Sequence, residues 1–202
     1  MFIIAAGTFS SAWAQSRTTN YAVTRNGEPI GTSTLRLDRN GAQTTAEIAT
    51  HVQVKIAYIT VYRYDQTETE HWDNGKLVGL SAATNDNGTL HKVSAARRGN
   101  ALAVDADGKV SEMDPSVIPV SLWNAALVRQ RLALDPQDGS LTPVSVVDHG
   151  NEDVVLQGRP TPAHHYSIAT TFPQDVWYDA NHQLIRVELR GSDGSKIQYQ
   201  PG

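Results

Sequence analysis

The sequence predicts a mainly β protein: a strongly curved antiparallel sheet, a half-barrel or open barrel laid down as a meander, with one helix covering the concave face. Three observations predict it. Asn-Gly or Asp-Gly recurs at Asn26-Gly27, Asn40-Gly41, Asn74-Gly75, Asn87-Gly88, Asp107-Gly108, Asp138-Gly139 and Asp193-Gly194, and these dipeptides tolerate the positive φ angles of tight hairpins. Most are flanked by apolar and polar residues alternating at the two-residue period of a strand. Met113–Leu134 alone breaks that alternation.

Taken in order, Tyr21–Arg25 and Ile30–Leu37 flank the first turn. Ala42–Lys55 follows the second, with Ile48, Val52 and Val54 among its apolar positions. The long Tyr58–Trp72 strand turns at Asn74-Gly75 into Lys76–Thr84, then Thr89–Ala96 and Ala101–Asp105. Short connections between neighbours make a meander the simplest topology. Pro115 and Pro119 then bracket a non-strand approach, and Ser121 is placed to cap a helix with the body LWNAALVRQRLAL, ending before Pro136 and Gly139. An amphipathic helix of about three turns suits a concave sheet face. Alternation resumes over Leu141–Val147, Asp153–Gln157, Ala163–Thr170, Asp175–Asp179, Gln183–Arg190 and Lys196–Gln200.

The 202 residues are 40% hydrophobic and 19% charged, ordinary for one folded domain. A formal net charge of -4 and the lack of basic runs argue against nucleic acid as a partner. MFIIAAGTFSSAWAQ is uncharged and carries Ala12-Trp13-Ala14, a small-residue pattern of the kind signal peptidase cuts. Its apolar run is far shorter than the roughly 20 residues of a membrane-spanning helix. The expected division is a signal peptide over residues 1–14 and a single β domain over 15–202, with its helix near 121–134. The expected location is the bacterial periplasm. With no cysteine in the chain, thiol catalysis and zinc–thiolate or iron–sulfur sites are excluded, and the fold relies on its core.

The chain resembles an uncharacterised exported bacterial family, the domain of unknown function numbered 6134. The residues that carry the resemblance are Tyr21-Ala22-Val23, Gly27, Ile30-Gly31, Tyr62-Arg63-Tyr64, Glu70-His71-Trp72, Asn74-Gly75-Lys76-Leu77, the Thr84–Gly88 run and Ser121–Asn124. In the last third, Gly150-Asn151-Glu152, Gly158 and Trp177-Tyr178-Asp179 are similar to a broader group of periplasmic β-proteins. The resemblance implies a curved sheet around a helix, loosely like the half-barrels of periplasmic lipid and lipoprotein carriers. It brings no activity and no catalytic residues.

The candidate site lies on the Tyr58–Trp72 strand. One alternate set is Tyr58, Tyr62, Tyr64, Gln66, Glu68, Glu70 and Trp72; the other contains Ile59, Val61, Arg63, Asp65 and His71. Which set faces inward is open at this point. If the first does, Tyr62, Tyr64, Glu70 and Trp72, with Trp123 from the helix and Trp177, wall a cleft for a hydrophobic or amphiphilic ligand. This is the reading taken: a non-enzymatic periplasmic binding or carrier protein. The alternatives are a cell-envelope glycan hydrolase using Glu68 and Glu70 as acid and base, and an envelope assembly factor pairing with a partner protein through an open sheet edge. No zincin helix, nucleophile elbow, dinucleotide fingerprint or phosphate loop occurs. His164 and His165 point oppositely on one strand. No metal or cofactor is therefore expected.

Overall fold

A computed structural model describes residues 14–202; the expected signal peptide, apart from Ala14, lies outside the described residues. Eight strands come first: β1 (Gln15–Arg25), β2 (Glu28–Asn40), β3 (Gln43–Ile56), β4 (Ile59–Asp73), β5 (Lys76–Asp86), β6 (Thr89–Arg98), β7 (Ala101–Ala106) and β8 (Lys109–Met113). A connecting segment follows, holding one short 3-10 helix (Ala125–Arg129) and the strands β9 (Leu132–Leu134) and β10 (Leu141–Pro143). Five strands close the chain: β11 (Ser145–Leu156), β12 (Arg159–Ala169), β13 (Gln174–Tyr178), β14 (Leu184–Arg190) and β15 (Lys196–Pro201).

Thirteen of these form one antiparallel sheet in the order β11 to β15, then β1 to β8. Each run is a meander. They are joined where β15 pairs with β1, Tyr21 opposite Pro201 and Arg25 opposite Ile197. The sheet ends on β8 and β11, so it is curled and barrel-like without closing. At Asn26-Gly27, Asn74-Gly75, Asn87-Gly88 and Asp107-Gly108 both residues take positive φ, the backbone that two-residue hairpin turns require.

The helix expected over 121–134 is not there. Asn124, not Ser121, caps the 3-10 turn, its Oδ1 accepting from the Ala126 N–H at 3.0 Å. The end of the expected helix is extended instead. Leu134 donates its N–H to the Ile118 carbonyl and accepts from the Val120 N–H, both at 2.9 Å, and β9 pairs with β10. The reason lies in the surroundings. Val117, Ile118, Leu127, Ala133, Leu134 and Val144 are all buried, in one cluster with Leu77, Leu80, Val93, Leu102 and Val104 of β5–β7 and with Ile168, Val176, Tyr178 and Val187 of β12–β14. A segment enclosed by walls from both halves of the sheet does not need its apolar residues on one helical stripe.

This filling segment is pinned to both halves. The Tyr178 hydroxyl donates to the Leu122 carbonyl at 2.8 Å, the Trp123 indole N–H to Glu70 Oε2 at 3.1 Å, and Arg97 to the Pro115 carbonyl. Because it leaves β8 and feeds β11, it supplies what a closing strand pair would otherwise do: it covers the concave face.

Candidate functional site

Along β4 the burial pattern decides the open question of facing. Glu68, Glu70 and Trp72 are buried and Tyr62, Tyr64 and Gln66 half-buried, while Val61, Arg63, Thr67, His71 and Asp73 are exposed. The set holding Tyr62, Tyr64, Glu70 and Trp72 therefore faces inward. Tyr58 does not belong to it. It sits in the β3–β4 turn at a φ of 70°, because the strand begins one residue later and a bulge shifts the pairing at Val54/Lys55.

From the end of the sheet that carries the β3–β4 turn, the interior of β4 reads Tyr62, Tyr64, Gln66, Glu68, Glu70, Trp72. The Tyr62 hydroxyl faces the Asp86 carboxylate, and burial together with that contact raises its pKa. Burial, with Tyr199, Asp135 and Asp86 near, raises Tyr64 further. Tyr199, on β15, is pushed up to about 12 by burial alone. These phenols are neutral donors at any physiological pH. Gln137 of the filling segment reaches Asp86 Oδ2 at 3.4 Å, which ties the loop after β9 to the same wall.

Deeper lie the two glutamates. Glu70 Oε2 accepts two indole N–H groups, from Trp72 at 2.6 Å and from Trp123 at 3.1 Å. The rings meet edge to face, 5.8 Å between centroids and 88° between planes. Burial raises the pKa of Glu68 well above the carboxylate range, and the neighbouring Glu70 and Asp135 raise it again. Glu70 is also raised by burial, but the nearness of Glu68 and Ser121 and the two indole N–H groups offset part of that. Two adjacent buried carboxyls do not both carry charge at low cost, and the stronger upward push falls on Glu68. Three oxygens here are buried with no well-formed hydrogen bond: Glu68 Oε1, Glu70 Oε1 and Ser121 Oγ. Each such group costs free energy unless something satisfies it.

Sequence reasoning thus brings together five of its six residues: Tyr62, Tyr64, Glu70, Trp72 and Trp123. Trp177 is not among them. Its neighbours Val176 and Tyr178 face the main core, so Trp177 faces the opposite side of the sheet. There it packs with Val154, Ala163 and Ile185 under the end of the β11–β12 hairpin, and Arg186 holds that hairpin by donating to the Val155 carbonyl at 2.7 Å. Asp86, Ser121, Asp135, Gln137 and Tyr199 are part of the interior and were missed. They arrive from four separate stretches of chain with no shared motif; the only signal was the alternation that puts Tyr199 on an inner face.

The outer face also carries a column of planar groups. His149 stacks on His165 at 4.4 Å, and His165 on Trp177 at 4.3 Å. Ligand atoms of His149, His165 and Asp175 lie within 4.8 Å of one another. A ring nitrogen presents its lone pair in the ring plane. Two imidazoles stacked 26° from parallel do not aim at one ion unless a ring turns. The Ser167 hydroxyl already links His149 to Asp175.

Sequence comparison matches residues 21–202 to the family described as Domain of unknown function (DUF6134). The chain belongs to that family. No curated protein matches it in sequence. Among solved structures, this family member is similar to a chain described as a beta-barrel-like protein of domain of unknown function DUF1849 from Brucella abortus. The TM-score is 0.65 and the identity 12%, over 92% of this chain and 94% of that one. At that identity the likeness is one of fold, and it agrees with a curled antiparallel sheet. Among the described residues no helix is long and apolar enough to cross a membrane.

Proposed function

We propose that this DUF6134 protein is exported to the periplasm and binds an amphiphile inside its curled sheet. The ligand would lie along the Tyr62–Tyr64 wall, with a hydrogen-bond-donating head group at the Glu68–Glu70 pair. The observation that carries this reading is the inward-facing row Tyr62, Tyr64, Glu70 and Trp72, met by Trp123 from the filling segment, with oxygens of Glu68, Glu70 and Ser121 buried beside it. A hydroxyl or ammonium group from a ligand is what such oxygens accept. Export rests on the sequence of residues 1–14.

The hydrolase reading fits less well. A glycosidase pair sits roughly 5–9.5 Å apart across a slot open to substrate; Glu68 and Glu70 are neighbours on the inner face of β4 and are buried among the tryptophans.

The test is extraction. Protein recovered from the periplasm of an expressing bacterium should begin at Gln15 by intact mass and yield an amphiphile, near one per chain, when its organic extract is analysed by mass spectrometry. Tyr64→Ala and Glu68→Leu, checked for unchanged circular dichroism, should release it. An extract free of stoichiometric amphiphile removes the binding proposal, and retention of residues 1–14 removes the export proposal.

A further inference from the structure

The two ends of the curled sheet differ in chemistry. The strand directions place the turns at Gly41-Ala42, Asn74-Gly75, Gly99-Asn100, Gln157-Gly158 and Ala180–His182 at one end, and all but Ala42 and Ala180 are polar or glycine. At the other end stand the turns at Asn26-Gly27, Asn87-Gly88, Asp107-Gly108 and Gly191–Ser195, but also Ala57-Tyr58 and Thr170–Pro173. This second rim carries Tyr58, 100% exposed, Ile59, 69% exposed, and Ile56 and Phe172, near 57–58% exposed.

The pairing within the β3–β4 hairpin also runs past that of its neighbours. Pairing of β2 with β3 stops at Gly31 opposite Val52, and pairing of β4 with β5 starts at Tyr64 opposite Asp86. Beyond Arg63, which the β5–β6 turn still touches, the pairs Val54–Tyr62, Lys55–Thr60 and Ile56–Ile59 form a finger about 10 Å long at roughly 3.3 Å per residue, joined to no third strand; Glu28, Pro29 and Ile30 face Gln53, Val54 and Lys55 across a cleft, and the tip at Ile56–Ile59 is exposed. Its turn is unusual. Ala57 and Tyr58 both take left-handed φ, 48° and 70°, a backbone that costs a residue with a Cβ about 1 kcal/mol or more. The other two-residue turns of this rim use Asn-Gly or Asp-Gly. A strained backbone, a bare aromatic apex and exposed isoleucines on both arms are costly together in water.

We propose that this rim docks on a lipid bilayer, the β3–β4 finger entering the headgroup layer with Tyr58 at its tip and Phe172 making a second contact. The arrangement favours a lipid surface over a protein groove on two grounds. The finger and the β12–β13 turn are far apart in the strand order, so only a broad surface meets both. The tip of the finger is also apolar on both arms and across the turn, from Ile56 to Ile59, which suits a medium that surrounds it. Lys55 stands midway along it, opposite Thr60, and Arg63 at its base, both placed for lipid phosphates, with Asp65 pairing Arg63 at 3.4 Å. The proposal stands whether or not the interior holds a ligand.

The experiment is flotation of the chain beginning at Gln15, which contains the whole sheet, with phosphatidylcholine vesicles, with and without phosphatidylglycerol. The wild-type chain should float with the vesicles, and more strongly with the anionic lipid. Tyr58→Ser with Ile59→Ser should lower partitioning on the order of tenfold or more, and Phe172→Ser by less. Both variants change solvated side chains and should unfold at the wild-type temperature, so loss of binding will not reflect loss of fold. A wild-type chain that stays with the soluble fraction, or variants that float equally well, overturns the proposal. So does a photocrosslinker at position 58 that in cells captures one protein and no lipid.

Discussion

Trp72 on the wall and Trp123 in the filling segment give their indole N–H groups to the same oxygen, Glu70 Oε2. One fully buried carboxylate therefore locks the segment that covers the concave face to the strand that lines it. Hydrogen bonds to a charged acceptor are worth more than neutral ones, and this one replaces solvent that Glu70 has lost.

Trp123→Phe keeps the edge-to-face packing and deletes the donor. We expect a loss of about 1.5–3 kcal/mol in the urea-unfolding free energy. Trp123→Ala also removes the packing and should cost about 3–5 kcal/mol. If Trp123→Phe unfolds at the wild-type midpoint while Trp123→Ala does not, the shared acceptor contributes nothing and the anchor is packing alone.

Glu68 gives the fold a pH dependence with a definite sign. Its pKa is raised in the folded chain, first by burial, so the folded state holds the proton more tightly than the unfolded state does. That contribution is fully present below the ordinary glutamate range, near pH 4.3, and is lost as pH rises through the folded value. Glu68→Gln keeps the shape and a donor for Glu70 while removing the titration. The variant should gain stability relative to wild type as pH climbs from about 4 towards neutrality, measured by urea midpoints across that range. A difference that is flat, or that shrinks with pH, contradicts the proton assignment.

The hairpins were legible because Asn-Gly and Asp-Gly report backbone angles directly, and the angles at Asn26-Gly27 and Asn74-Gly75 are the ones the dipeptides announce. The inward face of β4 was legible as one of two choices; burial of Glu68 and Glu70 made the choice, against the usual placement of glutamates in water. The helix over 121–134 was misread because propensity is a local quantity. Leu132–Leu134 extends because Ile118 and Val120 on one side and β10 on the other supply its backbone partners. Trp177 was misplaced for a related reason: a buried tryptophan signals a core, and this sheet has a second, smaller one on its outer side.

Gly31 in β2 marks a close approach of backbones. A Cβ there would lie 2.0 Å from the His51 carbonyl oxygen and 2.9 Å from the Val52 Cα, both backbone atoms that no rotamer change can move. Gly31→Ala should cost about 3 kcal/mol or more, lowering the thermal midpoint by roughly 6–12 °C. Gly27→Ala, whose Cβ meets nothing within 4 Å, should cost only its left-handed φ, about 1 kcal/mol. Equal losses would mean that the clash at Gly31 relaxes.

Trp177 and Tyr178 are adjacent on β13 and report on opposite sides of the sheet. Trp177→Ala empties the outer cluster with Val154, Ala163 and Ile185 and releases Glu152 from the indole N–H that reaches it at 2.5 Å. Amide hydrogen exchange should rise over residues 150–163 and stay unchanged over 117–134. Tyr178→Phe deletes the donor to the Leu122 carbonyl, worth about 1 kcal/mol; exchange should rise around 122–127 and leave the β11–β12 hairpin as it was. Neighbouring substitutions with separate footprints would establish that the sheet divides two packed layers, one around the filling segment and one under the folded-over hairpin. A common footprint would mean that the two cores loosen as one unit, and that the filling segment is held by the sheet as a whole instead of by the Leu122 and Glu70 contacts.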